Sequence, residues 1–337
     1  MEAYLHVLPI AGGATRASFD LYLPASEQGN GEYYTCYHFR YEENPPDPSI
    51  PYGGGPNNPA NRAFYRIRTA YITKKTDEGF RPAFRALQSG EIGFAFREEG
   101  AGDFVGGLHG DEVLSAVALT ADGAERSLSE PFFGAIRRFS FFEDSLMYRC
   151  NSPSLPLARH TQTYLYDADS DAVRLQLSQR VEWIADARPL SAAYLPMLTA
   201  QRLDPDAPER ILSDTVEFYG ADGETVGCFD TAPYGADGDG KKWDMVCEGT
   251  KATAVRVYGR ESGFSAEAGY TVLNGSIPEE QQAASLCIRY MKQALDNKIY
   301  FNVGLGAAPK RGTVWESAVF YALRYHASLQ ERERNEK

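Results

Sequence analysis

The chain has 337 residues, 43% of them hydrophobic, which is long enough to bury a substantial core. Its formal net charge of −12, without a basic stripe, speaks against a nucleic-acid partner. No apolar run approaches the roughly 20 residues a membrane helix needs, which speaks against a membrane. The five cysteines (Cys36, Cys150, Cys228, Cys247, Cys287) are odd in number and have no CxxC spacing. They argue for buried free thiols over a disulfide framework. Aromatics make up 12% of residues, alongside 31 glycines and 19 prolines, a mix that suits a sheet-rich protein.

Period-2 alternation dominates from the N-terminus onward. Ala17–Leu23 and Tyr33–Tyr41 read as two strands joined by a turn around EQGNGE. Residues 63–73, 92–98, 115–123, 137–150 and 161–184 alternate in the same way, the last with a turn at Ala168–Asp171. Leu190–Leu203 is the weakest strand pattern, and Pro196 makes it a strand with a bulge. Around GADGETV an Asp-Gly turn joins two strands into a hairpin. Residues 250–261 and 312–326 continue the pattern. Between them, residues 279–295 allow two readings. The PEEQ start favours a helix; a turn at LDNKIYF favours a strand ending near Leu295.

Two long loops interrupt the strands. The segment 42–63 is packed with Pro, Gly and Asn, and long irregular loops in compact domains tend to be functional. The second loop is 231–245. No linker or repeat divides the chain. The expectation is therefore all-β: one two-layer antiparallel β-sandwich domain over residues 1–337, of jelly-roll or supersandwich type, with few helices. The N-terminus MEAYLHVLPIAGGATR lacks a basic region ahead of an apolar run. A cytoplasmic location follows as the expectation, with secretion as the alternative for a chain that begins upstream.

The stretch Phe104–Val113, FVGGLHGDEV, sets one of only five histidines among three glycines and two carboxylates. Gly106, Gly107 and Gly110 permit positive φ and close backbone approach. They either shape a concave floor under an acid/base His109, oriented by Asp111 or Glu112, or simply bend the chain between two strands. If a divalent metal binds at all, His109, Asp111 and Glu112 are its candidate ligands. His160, Gln162, Tyr164 and Tyr166 alternate along one predicted strand and so share a face. This polar, aromatic stripe reads as a saccharide floor or as a solvated strand face. His38 shares a face with Cys36 and Arg40. Arg62, Arg66 and Arg68 follow the first long loop, Arg159 adjoins His160, and an arginine pairs bidentately with a carboxylate. Trp243, beside Lys241 and Lys242, is a candidate stacking platform, whereas Trp183 and Trp315 read as core. Dinucleotide, P-loop, zinc-protease and nucleophile-elbow motifs are absent, so no cofactor is expected.

The long aromatic strands, the GGLHGDE bend and the closing strands NKIYFNVG and GTVWESAVFYAL resemble, across most of the chain, β-sandwich and supersandwich proteins that act on polysaccharides, the lyases and epimerase-like groups. The resemblance implies a polysaccharide or oligosaccharide partner and β-elimination of a uronate-containing glycan. It casts His109 or His160 as base, Tyr164 or Tyr166 as acid, and Arg66, Arg159 or Gln162 as carboxylate neutraliser. Two other readings stand beside it: a non-catalytic glycan-binding or structural sandwich, and a metal-dependent glycan hydrolase.

Overall fold

The computed structural model describes residues 2–26, 32–43, 63–87, 92–107, 109–231, 242–246, 252–291 and 294–326. In chain order the strands are β1 (Ala3–Val7), β2 (Phe19–Pro24), β3 (Tyr33–Glu43), β4 (Ala63–Thr76), β5 (Gly79–Leu87), β6 (Ala95–Glu98), β7 (Glu112–Ala121), β8 (Ala124–Glu125), β9 (Phe132–Ile136), β10 (Arg138–Arg149), β11 (Ser152–Asp167) and β12 (Leu175–Trp183). There follow β13 (Leu190–Gln201), β14 (Thr215–Tyr219), β15 (Thr225–Asp230), β16 (Lys242–Val246), β17 (Ala254–Tyr258), β18 (Phe264–Val272), β19 (Ala283–Met291), β20 (Ala294–Asn302) and β21 (Val314–Tyr325).

These strands form two antiparallel sheets. The first has the order β16-β19-β20-β13-β5-β4-β3-β2-β1-β9, with β6 also on β13. The second has the order β15-β14-β17-β18-β21-β12-β11-β10-β7-β8. Neither closes into a barrel, and the molecule is an all-β sandwich. Alternation is the cause. On β12, Leu175, Leu177, Val181 and Trp183 are buried, while the intervening Gln176, Ser178 and Glu182 are not. One hydrophobic core runs from Ala3 to Tyr325 and takes residues from both sheets. Rings interlock across it: Phe19 with Phe141 at 4.9 Å, Phe39 with Tyr164 at 5.0 Å, and Phe96 with Trp183 at 5.1 Å. Each such contact adds about 1 kcal/mol to the area it buries.

The ambiguous segments resolve by pairing. β13 is a strand, and its register with β20 shifts between Tyr194 and Met197, where Pro196 has no N–H to give. The helix signalled by PEEQ shrinks to a single 3₁₀ turn, Glu279–Gln281, before β19. The turn expected at LDNKIYF lies earlier, between Met291 and Ala294, and residues 292–293 fall outside the described residues. Asp296 and Asn297, ordinarily turn-formers, are instead buried within β20, where the Asn297 amide donates to Ser213 Oγ at 3.2 Å. Part of the second expected loop is also a strand: β16 pairs with β19 at the sheet edge. Most of the first loop, 44–62, lies outside the described residues, as does Arg62. Of the cysteines, Cys36 is buried but Cys228 is exposed, so burial does not hold for every thiol.

Candidate active site

A polar patch interrupts the apolar core on the inner face of the second sheet. Its residues stand opposite one another on adjacent strands. Glu143, Gln162 and Gln179 form one cross-strand row, and Ser145 and His160 form the next. The rows are bonded side by side: Gln162 Nε2 donates to Glu143 Oε2 at 2.6 Å, and Gln179 Nε2 donates to Gln162 Oε1 at 3.2 Å. His160, Gln162, Tyr164 and Tyr166 do share a face, as alternation predicts, but that face looks inward. His160 and Tyr164 are each 2% exposed. The stripe is therefore neither an open saccharide floor nor a solvated face.

The glycine-rich stretch explains how a sixth member, Glu112, arrives. Val105 bridges Phe96 on the first sheet, whereas Glu112 starts β7 in the second. The chain crosses between the layers in between, with Gly106, Gly107, Gly110 and Asp111 all at positive φ. Gly106 N donates to Gly110 O at 2.8 Å, closing the bend. A Cβ on Gly106 would lie 2.4 Å from Met147 Cε and 2.7 Å from the Phe94 carbonyl oxygen, so no other residue fits without displacement. The glycines thus serve a tight crossover that delivers Glu112 beneath His160. His160 Nδ1 lies 2.9 Å from Glu112 Oε1, and the Ser145 hydroxyl donates to the same oxygen.

The electrostatics follow from burial and pairing. Burial by itself would raise the Glu112 pKa, but the His160 imidazole, the Ser145 hydroxyl and Arg66 outweigh it and hold the carboxyl below its ordinary range. Glu143 behaves in the opposite way. Burial and then the charge of Glu112 push its pKa well above the ordinary carboxylate value. Tyr164 is likewise pushed up, by burial and then by Glu143. In the neutral His160 ring, donation from Nδ1–H to Glu112 leaves the lone pair on Nε2. That Nε2 is buried and has no hydrogen-bond partner among the described residues.

Between this patch and the first sheet lies a cavity of about 30 Å³, walled by Arg66, Gly93, Phe94 and Gly107 against Glu112, Glu143, His160, Gln162 and Tyr164. Its volume suffices for one water molecule. Arg66 rests on the Phe64 ring at 3.8 Å and reaches Glu42 at 3.8 Å.

The remaining candidates do not join the cavity. His109 stands outside it, half-exposed, with Nδ1 3.0 Å from Asp103 Oδ1 and its ring against Phe104. Asp111 is buried and accepts from the Asn151 N–H at 3.0 Å. The candidate metal ligands His109, Asp111 and Glu112 thus turn to three separate partners. Among the described residues, no group of three such side chains is gathered for a metal ion. Arg159 points outward, bonded through both nitrogens to Asp144 at 2.8 and 2.9 Å. Tyr166 is buried in the core beyond the cavity. Trp243 lies on β16, the far edge of the first sheet, and its side chain, like that of Arg68, is outside the described ones. His38 pairs with Asp20 at 2.6 Å. Trp183 and Trp315 are core, as expected.

Sequence reasoning missed Glu143, Ser145 and Gln179. A signal existed for the first two. Glu143, Asp144 and Ser145 are three consecutive polar residues in a strand that otherwise alternates, so both faces must carry polarity there.

Fold and site together define a class, a two-layer antiparallel β-sandwich carrying a histidine–carboxylate dyad between its layers. Compared with known proteins, the chain matches no family model and no curated protein sequence.

Proposed function

We propose that this protein is a carbohydrate-active enzyme of the polysaccharide-lyase type, cleaving a uronate-containing glycan by β-elimination with His160 as the base. One observation carries the reading. His160 is held through Nδ1 by a buried carboxylate, its Nε2 has no hydrogen-bond partner among the described residues, and the residue lines a small cavity with Glu143, Gln162 and Tyr164. That is the geometry of an oriented general base. In the reaction, Nε2 takes the proton α to the uronate carboxylate. The C–H electron pair becomes the new C=C bond, and the C–O bond to the leaving sugar breaks. Tyr164, which burial keeps protonated, gives the leaving oxygen its proton. Arg66 and Gln162 neutralise the substrate carboxylate, which stabilises the developing charge. The cavity as it stands admits water and no sugar, so turnover requires its Gly93–Phe94 and Gly107 wall to move off β11.

The test is the ultraviolet absorbance of an unsaturated uronate, measured over a panel of acidic polysaccharides. The expected result is turnover by the wild type, a loss of roughly 10²–10⁴-fold in His160→Ala, and no change in His109→Ala. Absence of product across the panel, or full activity of folded His160→Ala, overturns the reading. The small volume of the cavity favours a second reading, a glycan-binding sandwich without catalysis. Glycan binding without product would select it.

A further inference from the structure

The outer face of the second sheet carries a trough of about 590 Å³, which shares β11 and β12 with the buried patch but lies on their opposite face. Small residues carve it. Ala254, Gly269, Phe320 and Gln176 stand in one cross-strand row over β17, β18, β21 and β12. A Cβ on Gly269 would lie 2.5 Å from the Phe320 ring and 2.9 Å from Ala254 Cβ, so the glycine is what lets that ring lie down along the sheet. The Arg174 guanidinium sits over the Phe320 ring at 5.3 Å. Its Nε is buried without a hydrogen-bond partner, and no described carboxylate pairs with it. The acidic residue lining the trough, Glu267, is already engaged by Arg256 at 3.5 Å and Arg324 at 2.8 Å. A guanidinium with no carboxylate partner among the described residues therefore lines a trough of mixed polar and apolar surface, on a chain of net charge −12. Gln176, Ser178 and Thr253 line the same space with amide and hydroxyl groups. The trough continues past Thr253, Tyr270 and Thr271 into a second hollow of about 740 Å³, which Asp222 and Glu279 also line.

We propose that this trough binds an acidic oligosaccharide, with Arg174 taking the carboxylate of one uronate and the Gln176, Ser178 and Thr253 side chains taking hydroxyls. A guanidinium meets a carboxylate through two parallel hydrogen bonds, and its place over Phe320 already limits its freedom. The proposal does not rest on catalysis at His160.

The experiment is titration calorimetry of the full chain with an unesterified oligogalacturonate, its carboxyl-reduced counterpart of equal length, and an acidic peptide of equal charge. The acidic sugar is expected to bind, more weakly as salt rises. Arg174→Ala should weaken it by roughly 10- to 100-fold, the span of a charged hydrogen bond. Ala318→Trp, which fills the trough from an exposed position, should abolish it. His109→Ala, which lies outside both the cavity and the trough, should leave it unchanged. Equal binding of the reduced sugar, equal binding of the peptide, an unaffected Arg174→Ala, or no binding of the acidic sugar overturns the proposal. Binding that passes these tests in a chain that never yields unsaturated product sinks the lyase reading alone.

Discussion

The two faces of β11 and β12 make opposite use of polar residues. On the inner face, His160 and Gln179 are buried between the layers; His160 is bonded to Glu112, and Gln162 links Gln179 to Glu143. On the outer face, Gln176 and Ser178 stand in an open trough beside Arg174, with water as their competitor. The difference lies in dielectric. Buried polar groups are strongly coupled, and each unmade bond is expensive. Exposed ones are individually cheap and free to meet a ligand. The inner patch therefore bears on stability, protonation and any chemistry at His160, while the outer one bears on recognition.

The sharpest way to break this contrast is to remove one member of the inner pair. Glu112→Ala leaves His160 and Ser145 without their common acceptor, and it should lower unfolding free energy by about 3 kcal/mol in urea titration. A loss under about 1 kcal/mol would show that the inner patch is as loosely coupled as a surface pair. A smaller, pH-dependent effect belongs to Glu143. Its pKa is higher folded than unfolded, so the folded chain keeps a proton that the unfolded chain releases. The resulting stability is present at low pH and fades as pH climbs above the ordinary carboxylate value, by at most about 1.4 kcal/mol per unit. Glu143→Gln should flatten that decline. Glu112, held low by His160, acts with the opposite sign, and its contribution is lost on acidification. A wild-type profile as flat as that of Glu143→Gln would mean that the carboxyl ionises freely. The smallest effect is expected outside. Arg174→Ala should change stability by no more than about 0.5 kcal/mol while weakening sugar binding. A large loss of stability would make Arg174 structural.

Much of the fold was legible because a strand writes its two faces in alternate residues. The hairpin at GADGETV, the turn after Asp167 and the strand nature of β21 all follow from that rule. So does the common face of His160, Gln162 and Tyr164. What alternation does not encode is which face is covered. His160 and Gln162 look like a surface stripe until a second layer is laid over them, and Arg159 looks like their neighbour although it points away. The triplet Glu143-Asp144-Ser145 carried a readable signal, since three polar residues in a row must place some inside. Pairing overrode local preference at Asp296 and Asn297, where a buried partner for the asparagine draws turn-forming residues into a strand.

By itself, then, the amino-acid sequence determined the strand content, the in-register faces and the need for glycine at a sharp crossover, because these depend on near neighbours and on φ. Tertiary structure alone decided that His160 meets Glu112, 48 positions away, while His109 meets Asp103. Those choices arise from how two sheets stack and which strands lie side by side, a matter of long-range pairing that no local pattern contains.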